Sequence, residues 1–305
     1  MSIGVSMEKW FAGIEAGGTK FNCMIAKDPH QILAESQFPT LAPDVTIRRV
    51  CSFLKEQIDR KGIQLERIGL GCFGPLDLNP ASPSFGSITS TPKLPWRNTP
   101  ILNMIQESLG VPTIIDTDVN AAAIGEGLWG AARGFNDFVY ITIGTGIGGG
   151  VVVHGKPVHG LVHPELGHIV VNHDRSRDPY EGFCPYHHDC LEGLAAGPAI
   201  QYRWNTPPQL LPDEHPAWDL EAEYISQALQ SIILTLSPEM IILGGGVLNH
   251  SGLIEKVRIL TKTKLNRYVD SAVLETSIDQ YIVTPGLGNR AGVLGSVALA
   301  AMSGH

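Results

Sequence analysis

Gly13-Ile14-Glu15-Ala16-Gly17-Gly18-Thr19-Lys20 and Thr142-Ile143-Gly144-Thr145-Gly146-Ile147-Gly148-Gly149-Gly150 are the two stretches whose reading decides the fold. Each sits between strand-like runs. Trp10 and Phe11 lead into the first, and Phe21, Cys23, Met24 and Ile25 follow it; Phe138 to Ile141 lead into the second, and Val151, Val152 and Val153 follow. A glycine lacks Cβ, so backbone N–H groups in such a turn can come close to phosphate oxygens. Two such turns suggest a nucleotide held between two lobes, with an ordinary structural turn as the alternative for either one. Gly144, Gly146 and Gly149 also fit the spacing of a dinucleotide fingerprint, which requires a helix to follow. The β-branched run Val151 to Val153 favours a strand instead, so the segment reads as a hairpin tip.

Outward from the first hairpin, a third strand is expected at Gln31 to Ser36. A helix then carries Ile47, Val50, Cys51, Leu54 and Ile58 on one face. Ile68 to Phe73 reads as a buried strand running into Gly74-Pro75, and a long Pro/Ser/Thr stretch spans Asn79 to Asn98, a length typical of site-lining segments or lids. Asn98 with Pro100 is expected to start a helix that Gly110 closes, and Ile114-Ile115 begins a strand ending near Asp118. The second half repeats strand, glycine hairpin and strand. It continues with an amphipathic helix (Leu220, Tyr224, Ala228, Leu229, Ile232, Leu236) stopped by Pro238, a strand at Met240 to Leu243 entering Gly244-Gly245-Gly246, a strand near Tyr281 to Val283, and a last helix from about Ala291 to Met302. Each half is a hairpin-led mixed sheet with helices, a weak internal duplication with a cleft between the halves. The expected division is 1–117 plus 291–305 for the N-terminal lobe and 118–290 for the C-terminal lobe.

With 305 residues, 43% of them hydrophobic and 17% charged, the chain has the composition of a globular protein of one or two domains, and its alternating strands and helices make the expected class α/β. A net charge of -8 disfavours nucleic acid or an anionic membrane as the main partner. No apolar run approaches the roughly 20 residues that span a bilayer, and a cytoplasmic enzyme is the expectation. Of five cysteines, Cys23, Cys51 and Cys72 lie in apolar runs and read as buried free thiols.

Asp118 falls where a strand ends, directly before the helical run Ala121 to Gly130. A carboxylate there can accept the proton of an attacking hydroxyl, the general-base role in phosphoryl transfer. Capping the following helix is its alternative use. The second cluster is His163-Pro164-Glu165-Leu166-Gly167-His168, followed by Cys184-Pro185-Tyr186-His187-His188-Asp189-Cys190-Leu191-Glu192. Cys184, His187 and Cys190, at three-residue steps, can supply three ligands of a closed structural zinc site, with His168 as the fourth and His173 and His188 as rivals. A solvated histidine-rich loop is the alternative.

Taken together, GIEAGGTK, DTDVNAAAIGE, TIGTGIGGG, HPELGH and the Cys/His segment ending in CLEG resemble the ROK family of bacterial sugar kinases and sugar-responsive repressors, over nearly the whole chain and in order. The CPYHHDC form, with GIEAGGTK and ITSTPK, looks most like the fructokinase branch. The resemblance implies a two-lobed actin-like (ribonuclease H-like) ATPase fold with the active site in the interlobe cleft. It implies that Gly17, Gly18, Thr19 and Lys20, with Gly144, Thr145 and Gly146, hold ATP phosphates, and that Gly244, Gly245 and Gly246 border the adenosine pocket. Asp118 matches the catalytic base; Asn120, Glu165, His168 and Glu192 match positions that contact or shape the sugar site. Also implied are structural zinc on His168, Cys184, His187 and Cys190, magnesium on the nucleotide phosphates, and a homodimer. Two departures stand out: Glu15 occupies a position where the family has Asp, and His187 replaces a cysteine.

The leading expectation is therefore ATP-dependent phosphorylation of fructose at the 6-hydroxyl. Mannose, glucose or an N-acetylhexosamine is the nearest alternative substrate, and a noncatalytic sugar sensor the more distant reading. A repressor of the same family would need an N-terminal helix-turn-helix, for which a first strand near residue 10 leaves no room. A filament-forming or chaperone ATPase would not need the HPELGH and CLEG residues.

Overall fold

The computed structural model describes residues 9–302, which fall into two compact units. The first comprises the described residues up to Gly130, the segment His159–His163 and the residues from Arg290 onward; the second comprises Ala131–Val158 and Pro164–Asn289. The expected boundary after residue 117 is thus displaced. The helix that begins at Asp118 packs with the first unit, because the glycines of that sheet let it lie close against the strands.

In the first unit, β1 (Trp10–Ala16) and β2 (Lys20–Asp28) form the expected hairpin, with Ala16 opposite Phe21. β3 (Gln31–Pro39) continues the antiparallel run three residues beyond the expected end. Helix α1 (Pro43–Lys61) buries Ile47, Val50, Cys51 and Leu54 and stops at Gly62, whose φ of 60° is left-handed. β4 (Leu65–Cys72) lies parallel to β1, and after α2 (Ile101–Leu109) comes β5 (Thr113–Thr117), parallel to β4; the order is β3-β2-β1-β4-β5. Gly110 closes α2 at φ 65°, as expected. Asn98 does not start it: the N-cap position is Pro100, with no side-chain cap, and Asn98 itself is left-handed at φ 56°. The long 79–98 stretch is pinned rather than loose. Ile88 is buried and bridges Leu76 and Thr99, and buried Trp96 donates its indole N–H to Leu41 O at 2.8 Å.

Helix α3 (Asp118–Trp129) and the C-terminal helix Ala291–Met302 pack on each other and on this sheet. Two glycines make the approach possible. A Cβ on Gly69 would lie 1.9 Å from Ser296 O, and one on Gly295 would lie 2.1 Å from Ala121 O. The C-terminal helix buries Val293, Leu294 and Val297, each contributing roughly 1.5–3 kcal/mol relative to exposure. This packing fixes the start of α3, and with it Asp118, at the end of β5.

The second unit repeats the pattern. β6 (Phe138–Ile143) and β7 (Ile147–Val153) are antiparallel with Ile143 opposite Ile147, so the glycine-rich stretch is a hairpin and not a strand-to-helix turn. β8 (Lys156–Pro157) extends it. Two short helices, α4 (Leu191–Ala195) and α5 (Gly197–Trp204), precede α6 (Ala217–Leu236), which buries Tyr224, Ala228, Leu229 and Ile232 and ends at left-handed Ser237 before Pro238. β9 (Met240–Gly244) runs parallel to β6; α7 (Leu253–Leu265), α8 (Ala272–Thr276) and α9 (Ile278–Tyr281) lead to β10 (Ile282–Val283), parallel to β9. The order β8-β7-β6-β9-β10 matches that of the first sheet, strand for strand. Among the described residues, no helix is long and apolar enough to cross a membrane. Cys23, Cys51 and Cys72 are buried free thiols, as expected.

Candidate active site

In the first unit, the turn between β1 and β2 closes through Gly17 N–H donating to Lys20 O at 3.0 Å. Thr40 secures it by donating its hydroxyl to Gly17 O at 2.8 Å and its N–H to Thr19 O at 2.9 Å. Thr19 and Lys20 are exposed. The Lys93 stem reaches the same turn, with Cε 3.1 Å from where a Cβ on Gly18 would stand.

Asp118 is the first residue of α3 and does not cap it. Thr117 takes that role in an extended conformation, its hydroxyl accepting the Asn120 N–H at 3.1 Å. Asp118 is thereby left uncommitted to capping; its carboxylate accepts the adjacent Val119 N–H, at 2.9 Å. Burial, and next the Glu15 carboxylate beside it, push the Asp118 carboxyl up to about 6. Glu15 is raised too, by burial, against the Asn22 amide that donates to it at 2.6 Å and the charge of Lys20. Two neighbouring carboxyls with raised values make this a candidate acid–base site.

Asn120, fully buried, donates its amide Nδ2 to Asp116 Oδ1 at 2.8 Å. Because a carboxylate only accepts, this fixes the Asn120 amide with Oδ1 turned away from Asp116. His159 Nε2 lies 3.1 Å from both oxygens of the same carboxylate.

In the second unit, the hairpin tip is Gly144-Thr145-Gly146, closed by Gly144 N–H donating to Gly146 O at 2.9 Å. Gly244 follows from β9 alongside Thr142 of β6, and Gly245, at φ 95°, passes so close to Ile143 that a Cβ would lie 2.3 Å from its carbonyl oxygen. The structure therefore brings both glycine segments of this unit together at adjacent strand ends. Glu192, in the first turn of α4, accepts the Ile147 N–H through Oε2 at 2.8 Å. Glu165 is exposed.

His168, Cys184, His187 and Cys190 converge, with one ligand atom from each lying within 4.8 Å of all the others. Cys184 Sγ is 3.7 Å from His168 Nδ1 and 3.7 Å from His187 Nδ1, and Cys190 Sγ is 3.5 Å from His168 Nδ1. A tetrahedral zinc with ordinary Zn–S and Zn–N bonds sets an S···N edge of about 3.5 Å. The donor set and its spacing fit that ion. Of the rivals for the fourth position, His173 is engaged elsewhere, between Asp189 at 3.2 Å and Asp178 O at 2.9 Å. His188 stands outside the four, in a left-handed turn at φ 54°.

Compared with protein families, residues 11–303 match the ROK family model. The chain belongs to the ROK family. Among curated ROK relatives it is 42% identical to a fructokinase of Zymomonas mobilis, over 96% of this chain and 97% of that one. It is 40% identical to a fructokinase of Lactococcus lactis, over 96% and 98% respectively. Among solved structures it resembles a ROK hexokinase from Thermus thermophilus, with a TM-score of 0.75, 27% identity and coverage of 96% of this chain and 98% of that one.

Beside the expected residues the structure places groups that sequence reasoning passed over. Asp116 and His159 flank Asn120, and His163, buried, accepts the Leu76 N–H through Nε2 at 3.1 Å, holding the turn after Gly74-Pro75. His163 lies inside the HPELGH motif, whose signal was read only for Glu165 and His168. Nothing in the sequence pairs Asp116 with His159, 43 residues apart. Lys93 had a weaker signal, as the one basic residue of Thr89-Ser90-Thr91-Pro92-Lys93.

Proposed function

We propose that this protein transfers the γ-phosphoryl group of ATP to the 6-hydroxyl of D-fructose, giving fructose 6-phosphate and ADP. The observation that carries the reading is Asp118: a carboxylate released from helix capping, enclosed at a strand end and held near 6 by burial and Glu15. Near neutral pH it is mostly ionised yet basic enough to take the hydroxyl proton as the oxygen attacks in line. The two curated fructokinases, at 42% and 40% identity over nearly full length, support fructose as the sugar.

In this reading Gly17 to Lys20 and Gly144 to Gly146 receive ATP phosphates through backbone amides and the Lys20 charge, and Gly244 to Gly246 border the adenosine. Asn120 offers its amide oxygen to a sugar hydroxyl, with Glu165, His168 and Glu192 as further sugar contacts. His168 Nδ1 faces the thiols, so Nε2 is the atom that would meet a hydroxyl. Zinc on His168, Cys184, His187 and Cys190 would hold the loop rigid. Magnesium would ride on the nucleotide phosphates and neutralise the charge that moves in transfer, with Glu15 the carboxylate near Asp118 that would meet its water shell. A cytoplasmic homodimer completes the proposal.

The test is ADP release with Mg-ATP across fructose, mannose, glucose, N-acetylglucosamine and N-acetylmannosamine. Turnover with fructose far above the rest supports the proposal. Preference for another hexose keeps the kinase and changes its substrate, whereas no turnover on any of them points to a noncatalytic sensor.

A further inference from the structure

Ile147, the first residue of β7, is gripped through its backbone by both elements that carry cluster ligands. On one side Glu192 of α4 accepts the Ile147 N–H, and the N-cap of α4 is Cys190. On the other, the 3-10 turn Leu166–His168, which ends in His168, packs so closely that a Cβ on Gly167 would lie 2.0 Å from Ile147 O. The two elements are tied to each other by Leu191 N–H donating to Ile169 O at 3.0 Å. Glu192 Oε2 also fills the space over the hairpin tip, 2.7 Å from where a Cβ on Gly146 would stand. The opposite rim is held as well, since Gly197 at the start of α5 donates its N–H to Gly144 O at 2.7 Å.

We propose that Glu192 is a positioning residue for the β6–β7 hairpin, transmitting the order of the Cys/His loop to the backbone amides of Gly144 to Ile147, so that metal occupancy sets nucleotide affinity. This rests on the reading of that hairpin as a phosphate cradle and adds a role for Glu192 separate from sugar contact. An ionised carboxylate accepting a backbone N–H makes a charge-assisted bond, stronger than a neutral one. The bond holds a short glycine turn that would otherwise sample many conformations. A cradle ordered before the nucleotide arrives avoids the entropy of ordering it on binding. When the four ligands are drawn onto an ion, the N-cap of α4 and the His168 turn are fixed together, and Ile147 is fixed between them.

The experiment uses full-length Glu192→Ala and Glu192→Gln variants, and wild-type protein stripped of metal by a chelator. Two readouts are taken without sugar: ATP affinity by calorimetry, and hydrogen exchange of a peptide spanning 143–148, which reports local opening. Glu192→Ala is expected to weaken ATP binding about tenfold, the scale of one charge-assisted hydrogen bond, and to speed exchange at the hairpin. Glu192→Gln keeps an acceptor oxygen without the charge and should restore part of both, while metal-stripped wild type should resemble the alanine variant. Unchanged ATP affinity and hairpin exchange in Glu192→Ala, the result for a residue that serves sugar alone, would overturn the proposal, as would a glutamine variant no better than alanine. Should the alanine variant fail to fold, the glutamine variant and the stripped wild type carry the test. If wild type binds no ATP, the phosphate reading falls by itself, and hairpin exchange still decides whether Glu192 braces the turn.

Discussion

The two glycine hairpins sit at the same place in two sheets of the same strand order, yet different things stand behind them. The β1–β2 turn is open. Its own bonds and those from Thr40 hold it, Thr19 and Lys20 are exposed, and the Lys93 stem lies against Gly18. The β6–β7 turn carries no charged residue, and its backbone is held from both rims by Glu192 and Gly197. A cradle made of amide dipoles alone must be rigid to work, because each N–H is a weak, directional donor. Long cationic side chains can follow a phosphate, so a turn that has them depends less on its amides alone. The first unit also holds the two raised carboxyls, Glu15 and Asp118.

The largest expected effect tests where the chemistry lies. Asp118→Asn should lower kcat about 10³-fold, within the range for a general base, while ATP affinity holds. Turnover within a few-fold of wild type would remove Asp118 from its role. The same residue sets a pH limb. Asp118 must be ionised to accept a proton, so kcat/KM should fall about tenfold per pH unit below about 6, the value to which its carboxyl is pushed. The linkage has the opposite sign for stability. A carboxyl raised from 3.8 to about 6 favours the native state most below 3.8, and this contribution is lost as pH rises through 6. Asp118→Asn should therefore melt above wild type at pH 8, and a lower melting point would contradict the burial argument.

The hairpins themselves give a paired test. Alanine at Gly146 places a methyl 2.7 Å from Glu192 Oε2, a group already bonded, so the ATP KM should rise about tenfold. Cys184→Ser should remove a soft ligand and lower the melting temperature by about 5–10 °C, with zinc content by elemental analysis falling in parallel. The smallest change is expected from Gly18→Ala, where the nearest atom is the flexible Lys93 stem at 3.1 Å; about two- to threefold in ATP KM suffices to move it aside. Equal effects at Gly18 and Gly146 would break the contrast between the two turns.

Much of this fold was legible because it rests on local rules. Val151 to Val153 after the glycines fixed a hairpin in place of a helix, and the helices read as closed by Gly110 and stopped by Pro238 end there. Other readings failed where tertiary contact overrode a local preference. Asn98 has the chemistry of a cap, but the backbone there is left-handed and leaves the capping position to Pro100. For Asp118, capping was the alternative to the base reading, and Thr117 takes that bond. Short α4 and α5 gave too few turns to show a period, whereas α7, with Leu253, Val257, Thr261 and Leu265 buried, carried a helical spacing that was not used. Of the candidate site, the Cys/His cluster was the most readable, since three of its members lie close in sequence and only His168 had to be chosen from afar.

By itself the sequence determined the two hairpins, the family, and which residue types could serve as base, ligand and cradle, because those depend on chain neighbours and fixed spacings. Only the tertiary structure decided what each group is free to do. It assigned capping to Thr117 and so released Asp118, set Glu15 beside it to raise its carboxyl, paired Asp116 with His159, and turned Glu192 onto the Ile147 amide. Apart from the local Thr117–Asn120 bond, these assignments depend on burial and on contacts between residues far apart in the chain, and a linear pattern carries no record of either.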